Sequence, residues 1–321
     1  MKNITLLFFF FLLVLLSCSN TPQEDDMLII IQPTTDEVED SLTVGEKEEE
    51  SSVKLVIDSI VYKFSQVAVG DLQGADCYDG VMFQFCDMFS YASCYDMGTY
   101  KWLSLFKTPS VSSYHCNNAD FSNIFYDEND RFPLLYISQF RDNDRCVIVC
   151  RIIQEGMKFT IRVVQKIQLP MDHSIIGYYT DAVLDNENGF MYVYSYNSTK
   201  YNSISLHKFK MPEFREGETV VLTNDDIIES FNNGFCRHPQ GAIIKNGLLY
   251  MVEGVPNWGT EVYLRVTNLE NKSHARVSFS KMQTDIVWEP EDIFFYNDEL
   301  YCASNFGKGV YKMSIRFENL E

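Results

Sequence analysis

Polar residues recur in pairs along this chain, each pair just ahead of a short apolar stretch. They are Asp71 and Gln73, His115 and Asn117, His238 and Gln240, and Glu289 and Glu291, with Asp181 and the less securely aligned Tyr179 between the second and third pairs. Brought together, such carboxylates, amides and imidazoles would form a ring of donors and acceptors suited to a polar ligand. Arg237 and Trp288 flank the ring, and Trp258 could reach it from a loop. An indole beside carboxylates suits stacking on a sugar ring, so the expected ligand is a carbohydrate or a peptide. Two carboxyls facing each other at roughly 5–9 Å would instead support a glycoside hydrolase or lyase, and Asp71, Asp181 and Glu289 are the candidates. Beside Glu289 and Glu291, His238 is expected to titrate above its ordinary value. His115 and His238 could share a divalent cation with a glutamate only by reaching across the ring, and neither a metal nor a cofactor is expected. The structural alternative is that the amides bond their own backbone and pin turns, and a non-catalytic assembly scaffold is a third reading.

What would bring these pairs together is a repeat. "QGADCYDGVMFQF" from Gln73 and "HPQGAIIKNGLLY" from His238 share Gln-Gly-Ala, a turn glycine and an aromatic at one spacing. With Phe83, Tyr136, Tyr192, Tyr250 and Tyr301 as anchors, the intervals are 53, 56, 58 and 51 residues. Each anchor follows a turn signal and sits among alternating apolar residues, the pattern of a strand. Short strands repeating with this period predict an all-β fold, a β-propeller of five four-stranded blades, with six if the unit boundaries were drawn otherwise. The anchor belongs on the second strand, wedged between blades, with Gly or Asn turning the hairpin before it.

Two readings of strands are specific enough to be tested. The third unit takes its fourth strand from "ETVVLT" (Glu218–Thr223), and "NDDIIESF" (Asn224–Phe231) reads as an Asn-capped helical turn. The last unit holds only three strands, and "SVKLVIDSIVYKF" (Ser52–Phe64) supplies the fourth, closing the ring and removing an open edge.

The start of the chain has a different character. Lys2, the apolar run Ile4–Leu16 and "LLSC" (Leu15–Cys18) read as a lipoprotein signal with Cys18 as the lipidation site. Residues 19–52 hold eleven acidic residues and one Lys, which predicts a disordered acidic tether. That segment carries −10 of the formal −19, so the domain at 53–321 is only mildly acidic. The lack of a basic face argues against nucleic acid, and the lipid anchor would be the only contact with membrane. "QEDD" (Gln23–Asp26) resembles the acidic signal that sends lipoproteins of Bacteroidota to the cell surface, so the outer membrane is the expected location.

"QGADCYDGVMFQF" together with "HCNNADFSN" (His115–Asn123) resembles the lipid-anchored TolB-like or NHL-like propellers of Bacteroidota. The resemblance runs from about residue 53 to the end. It implies the propeller fold and the cell envelope, and no substrate.

Eight cysteines follow Cys18 without a C-x-x-C, mostly inside predicted strands, where core thiols are expected. His173, His207 and His274 lack metal-ligand spacing and are expected to pack or face solvent. No nucleophile-elbow, zincin, Walker or EF-hand motif is present.

Overall fold

The computed structural model of the protein describes residues 53–67, 70–87, 90–109, 115–139, 145–196, 203–236, 238–256, 259–278, 288–305 and 309–319. The signal segment with Cys18, the tether at 19–52, Arg237 and Trp258 lie outside the described residues.

The strands form five sheets, and the four strands of each blade run antiparallel to their neighbours. Blade 1 is β2 (Leu72–Tyr78), β3 (Val81–Cys86), β4 (Tyr91–Asp96) and β5 (Lys101–Lys107). Blade 2 is β6 (Ala119–Phe121), β7 (Leu135–Gln139), β8 (Cys146–Glu155) and β9 (Lys158–Gln168). Blade 3 is β10 (Tyr178–Asp185), β11 (Phe190–Tyr196), β12 (Ser203–Lys210) and β14 (Ile227–Phe235). Blade 4 is β15 (Pro239–Lys245), β16 (Leu248–Glu253), β17 (Tyr263–Asn268) and β18 (His274–Ser278). Blade 5 is β19 (Pro290–Tyr296), β20 (Glu299–Ser304), β21 (Gly309–Asn319) and, from the other end of the chain, β1 (Val53–Ser65). The protein is a five-bladed β-propeller, and the antiparallel pairing of β1 with β21 closes its ring.

The five anchors explain the repeat. Phe83, Tyr136, Tyr192, Tyr250 and Tyr301 all lie on the second strand of their blades and are buried. Each sits in a separate apolar cluster made by two adjacent blades. A four-stranded sheet has two apolar faces, so each blade needs a neighbour on both sides, and one aromatic wedge per junction is the sequence trace of that need. At the junction of blades 1 and 2, Phe83 meets the edges of Phe121, Phe132 and Phe159 at centroid distances of 5.2–5.8 Å.

Tight hairpins precede three anchors, with Asp79–Gly80, Asn246–Gly247 and Asn297–Asp298 all at positive φ, the geometry that suits the right-handed twist of the strands. Blade 2 departs from the pattern, its first two strands being joined by residues 122–134.

The third unit corrects the sequence reading. The stretch read as its fourth strand contributes β13 (Thr219–Val221), which pairs in parallel with β9 as a fifth strand on blade 2. Only Asn224–Asp226 form a helical turn, closed by Asp226, which accepts from the Thr223 N–H at 2.7 Å and its hydroxyl at 2.9 Å. From Ile227 the chain is β14, the true fourth strand. Its alternation of half-buried and exposed residues is that of a strand covered on one face.

The innermost strands are tied across the axis by side chains. Asp292 of blade 5 accepts from the N–H of Ala75 (2.7 Å) and of Ala119 (3.2 Å), in blades 1 and 2. Asn118 donates to the Ala182 carbonyl at 2.8 Å and accepts from the Ala242 N–H at 2.7 Å, linking blades 2, 3 and 4. Asp76 accepts from Phe121 N–H and Asp120 from Leu184 N–H, each at 2.7 Å. These ties account for the glycine of the repeated Gln-Gly-Ala. A Cβ at Gly241 would lie 2.0 Å from the Asp292 carboxylate, and one at Gly74 would lie 3.0 Å from the Ala119 nitrogen.

Candidate functional site

Strand register shows which of the paired residues share a level around the axis. Ala75, Ala119, Ala182, Ala242 and Ile293 each face the residue just after an anchor. Two residues before them lie Gln73, Asn117, Thr180, Gln240 and Glu291, which form one level. One residue closer lie Gly74, Asn118, Asp181, Gly241 and Asp292, which form the next level inward. Above both are Asp71, His238 and Glu289, whose carbonyls accept from Asp87, Gly254 and Asn305 N–H at 2.8–2.9 Å.

Asp181 therefore stands one level deeper than the anchor spacing implied. The turn at 186–189 is two residues longer than the Asp79–Gly80 turn, and Thr180 takes the place that Asp181 was expected to fill. Asp181 still meets the site, because Asn117 donates to its Oδ2 at 2.9 Å. Burial pushes Asp181 up to about 6, against the opposing pull of Asn117 and of charge on His115.

His115 is an imidazole that pairs with a carboxylate. Its Nδ1 lies 2.8 Å from Asp87 Oδ1 at the half-exposed rim. Burial alone would lower its pKa, but the hydrogen bond and charge of Asp87, with Asp181 and Asn117 adding, carry it above the ordinary value. His238 has a left-handed backbone (φ 55), and its ring lies edge-on to Tyr196 at 6.3 Å. Tyr179, also left-handed, is exposed and packs edge-on against Tyr196 at 5.7 Å.

On the far side, Gln240 donates to Glu289 Oε1 at 3.3 Å and Asn305 donates to Oε2 at 3.5 Å. Burial raises Glu289, while its hydrogen bonds with Glu291 and Asn305 and the charge of His115 hold it lower. Glu291 is fully buried, and burial together with the adjacent Glu289 charge puts it well above the carboxylate range. Trp288 is not at the mouth. Its indole is 3% exposed and stacked on Tyr311 at 4.7 Å, so it packs between blades and offers no face to a sugar.

Asp87 and Asn305 escaped the sequence reading, and a signal for them existed. Both lie four residues after an anchor, where the second strand leaves the sheet beside the mouth. No group of three or more His, Cys, Asp or Glu among the described residues is placed to hold a metal ion. His207 is buried and shares a hydrogen bond with the Ser230 hydroxyl at 2.8 Å. Cys94, Cys116, Cys150, Cys236 and Cys302 are buried thiols, and burial pushes each upward, Cys94 to about 12.

The mouth gives a first prediction. In an NMR titration His115 titrates above ~6.5, and Asp87→Asn brings it down by removing the partner charge. Because the folded value is the raised one, the pair's contribution is complete below the unfolded value and is lost as pH rises through the folded one. A His115 titration that ignores Asp87→Asn would contradict the pairing.

No family model matches the chain, and no curated protein matches it in sequence. Solved structures similar in shape include the PQQ-bound aldose sugar dehydrogenase of Streptomyces coelicolor, at 9% identity over 82% of this chain and 98% of that one, TM-score 0.49. Glutaminyl cyclase of Myxococcus xanthus is similar at 8% identity over 83% and 98%, TM-score 0.48. A chain of a nidogen/laminin complex is similar at 10% identity over 84% and 98%, TM-score 0.41. Likeness at this level says nothing of this chain's chemistry.

Proposed function

We propose that this protein is a cell-envelope lipoprotein whose propeller binds a hydrogen-bond-donating ligand, a carbohydrate or a peptide, at the channel mouth. One observation carries the binding part. Gln73 Oε1, Asn117 Oδ1 and Asp181 Oδ1, from three successive blades, are buried acceptors without a hydrogen-bond partner among the described residues. Leaving such a group unsatisfied costs roughly 1–3 kcal/mol, and native proteins keep few of them. Grouped acceptors call for donors, which sugar hydroxyls and peptide N–H groups supply. The carboxylates at Asp71, Asp87, Asp181 and Glu289 disfavour an anion. Asp181 is ionised above about 6, and His115 is charged below its raised value. The mouth therefore carries both charges in the interval between them.

Glycan and peptide arrays probed with the full chain in detergent test this reading. Asp181→Asn, which keeps the shape and the Asn117 contact, is expected to weaken binding about tenfold, the loss of one charge-assisted hydrogen bond. Binding should also strengthen as pH rises through about 6 in the wild type only. Arrays blank for every glycan and peptide would remove the reading. Hydrolysis of a bound glycan, abolished by Glu289→Gln, would replace it with the glycosidase alternative.

The envelope part rests on Lys2, the apolar run Ile4–Leu16 and the Leu15–Cys18 ending. Cys18→Ala is expected to abolish palmitate labelling and release the protein from the membrane fraction. A wild-type protein that takes up no label would sink the anchor.

A further inference from the structure

We propose that the end of the channel opposite the mouth is a second binding site, built for an organic cation such as an alkylammonium group. A cavity of 320 Å³ lies there, lined from all five blades. Blade 1 contributes Asp76 and Tyr78, blade 2 Asp120 and Phe125, blade 3 Asn186, blade 4 Ile243 and blade 5 Phe295.

The floor holds two carboxylates and, among the described lining residues, no basic side chain. Asp76 is 4% exposed and Asp120 3%. Asp76 spends its oxygens on the N–H groups of Cys77 (2.6 Å) and Phe121 (2.7 Å). Asp120 gives only Oδ2, to Leu184 N–H at 2.7 Å, and its second oxygen accepts nothing among the described residues. A structural tie needs one oxygen. The second, on a side chain this deeply buried and lining a cavity, is left for a ligand. Burial raises both acids, Asp76 to about 7, and no basic residue offsets either of them. Protonation relieves the cost of two adjacent buried carboxyls, and a cation entering the cavity would take the place of that proton.

The walls suit the same guest. Tyr78 meets Phe121 at 5.6 Å and Phe125 at 6.2 Å, so aromatic rings line one side. Phe125 is 40% exposed at the rim, where a guest can reach its ring. Aromatic faces above carboxylates are the arrangement that holds alkylammonium ions. An anion is excluded by the floor, and an uncharged guest would leave the carboxylates uncompensated.

Calorimetry on the full chain with butylammonium as probe tests the site, with butanol as its neutral analogue. Butylammonium is expected to bind in the millimolar range and butanol at least about tenfold more weakly. Asp120→Asn keeps an acceptor for Leu184 N–H and should weaken butylammonium at least about tenfold. Phe125→Ala, on a loop, should weaken it about threefold without touching the ties between strands. Glu216→Gln, at an exposed ion pair with Arg162, should change nothing. A Gly-Lys-Gly peptide that binds more tightly than butylammonium marks a lysine side chain as the guest, and one that binds no more tightly marks a free amine. Failure of butylammonium to bind, or equal binding to folded Asp120→Asn and Phe125→Ala proteins, would overturn the proposal.

Discussion

A protein lacking residues 53–65 is expected not to fold to a soluble monomer, whereas one lacking 19–51 should melt at the wild-type temperature. Three side chains of β1, Leu55, Ile57 and Phe64, are buried. Burying each contributes roughly 1.5–3 kcal/mol, and together they rival the lower end of the 5–15 kcal/mol that holds a whole domain. Phe64 matters beyond its own blade. Its ring packs on Tyr95 at 5.1 Å and Tyr100 at 5.7 Å, both in blade 1, so it seals the junction between the first and last blades. Without β1 the whole length of β21 becomes an unpaired edge, which invites association with other chains. Thermal unfolding with size-exclusion chromatography reads both effects. Equal melting temperatures for the two deletions would show that β1 does not close the ring.

Glu253→Ala should be the most damaging single substitution in blade 4. The carboxylate is wholly buried between Arg265, whose Nε lies 2.5 Å from Oε1, and Arg276, whose guanidinium lies 2.8 Å from Oε2. Arg265 is itself 1% exposed and donates to the Asn233 carbonyl at 2.6 Å and to that of Phe235. The triad thus joins the second, third and outermost strands of blade 4 to the end of β14 in blade 3. Removing the acid strands a buried guanidinium, a change that costs about 3–5 kcal/mol, or on the order of 10 °C in melting temperature for a domain of this size. Glu299→Ala, which breaks an exposed pair with Lys312, serves as the surface control and should move stability by less than about 0.5 kcal/mol. A Glu253→Ala protein as stable as that control would mean the triad is energetically idle.

The architecture was legible because its physical demands recur. Every blade junction needs a wedge, and every wedge falls one hairpin after the innermost strand, so the aromatic anchors could be counted directly. β14 was less legible. Its outward residues Ile228 and Phe235 are apolar yet exposed, and the Thr–Asn–Asp start resembles a helix cap, so local chemistry pointed away from the tertiary outcome.

The site divided in the same way. Gln73, Asn117, Gln240 and Glu291 share a level because their blades have matching register, whereas Asp181 slipped because a turn length differs. Asp87 and Asn305 were missed because they leave from second strands, and the alignment compared only first strands. Trp288 carried no sequence signal separating a ring that faces a ligand from one that faces Tyr311. Register is a property of neighbouring strands, and a single strand read alone does not contain it.

The ties across the axis have a consequence for transport. Asn118 and Asp292 span the centre, Gly241 leaves room for the Asp292 side chain, and Gly74 lets the neighbouring backbone of blade 2 approach. The ring is therefore plugged at mid-height, and it cannot act as a conduit for solutes or ions. Its two openings are separate vestibules with a common wall. What enters one is felt in the other only as tension on hydrogen bonds such as the one from Ala75 to Asp292.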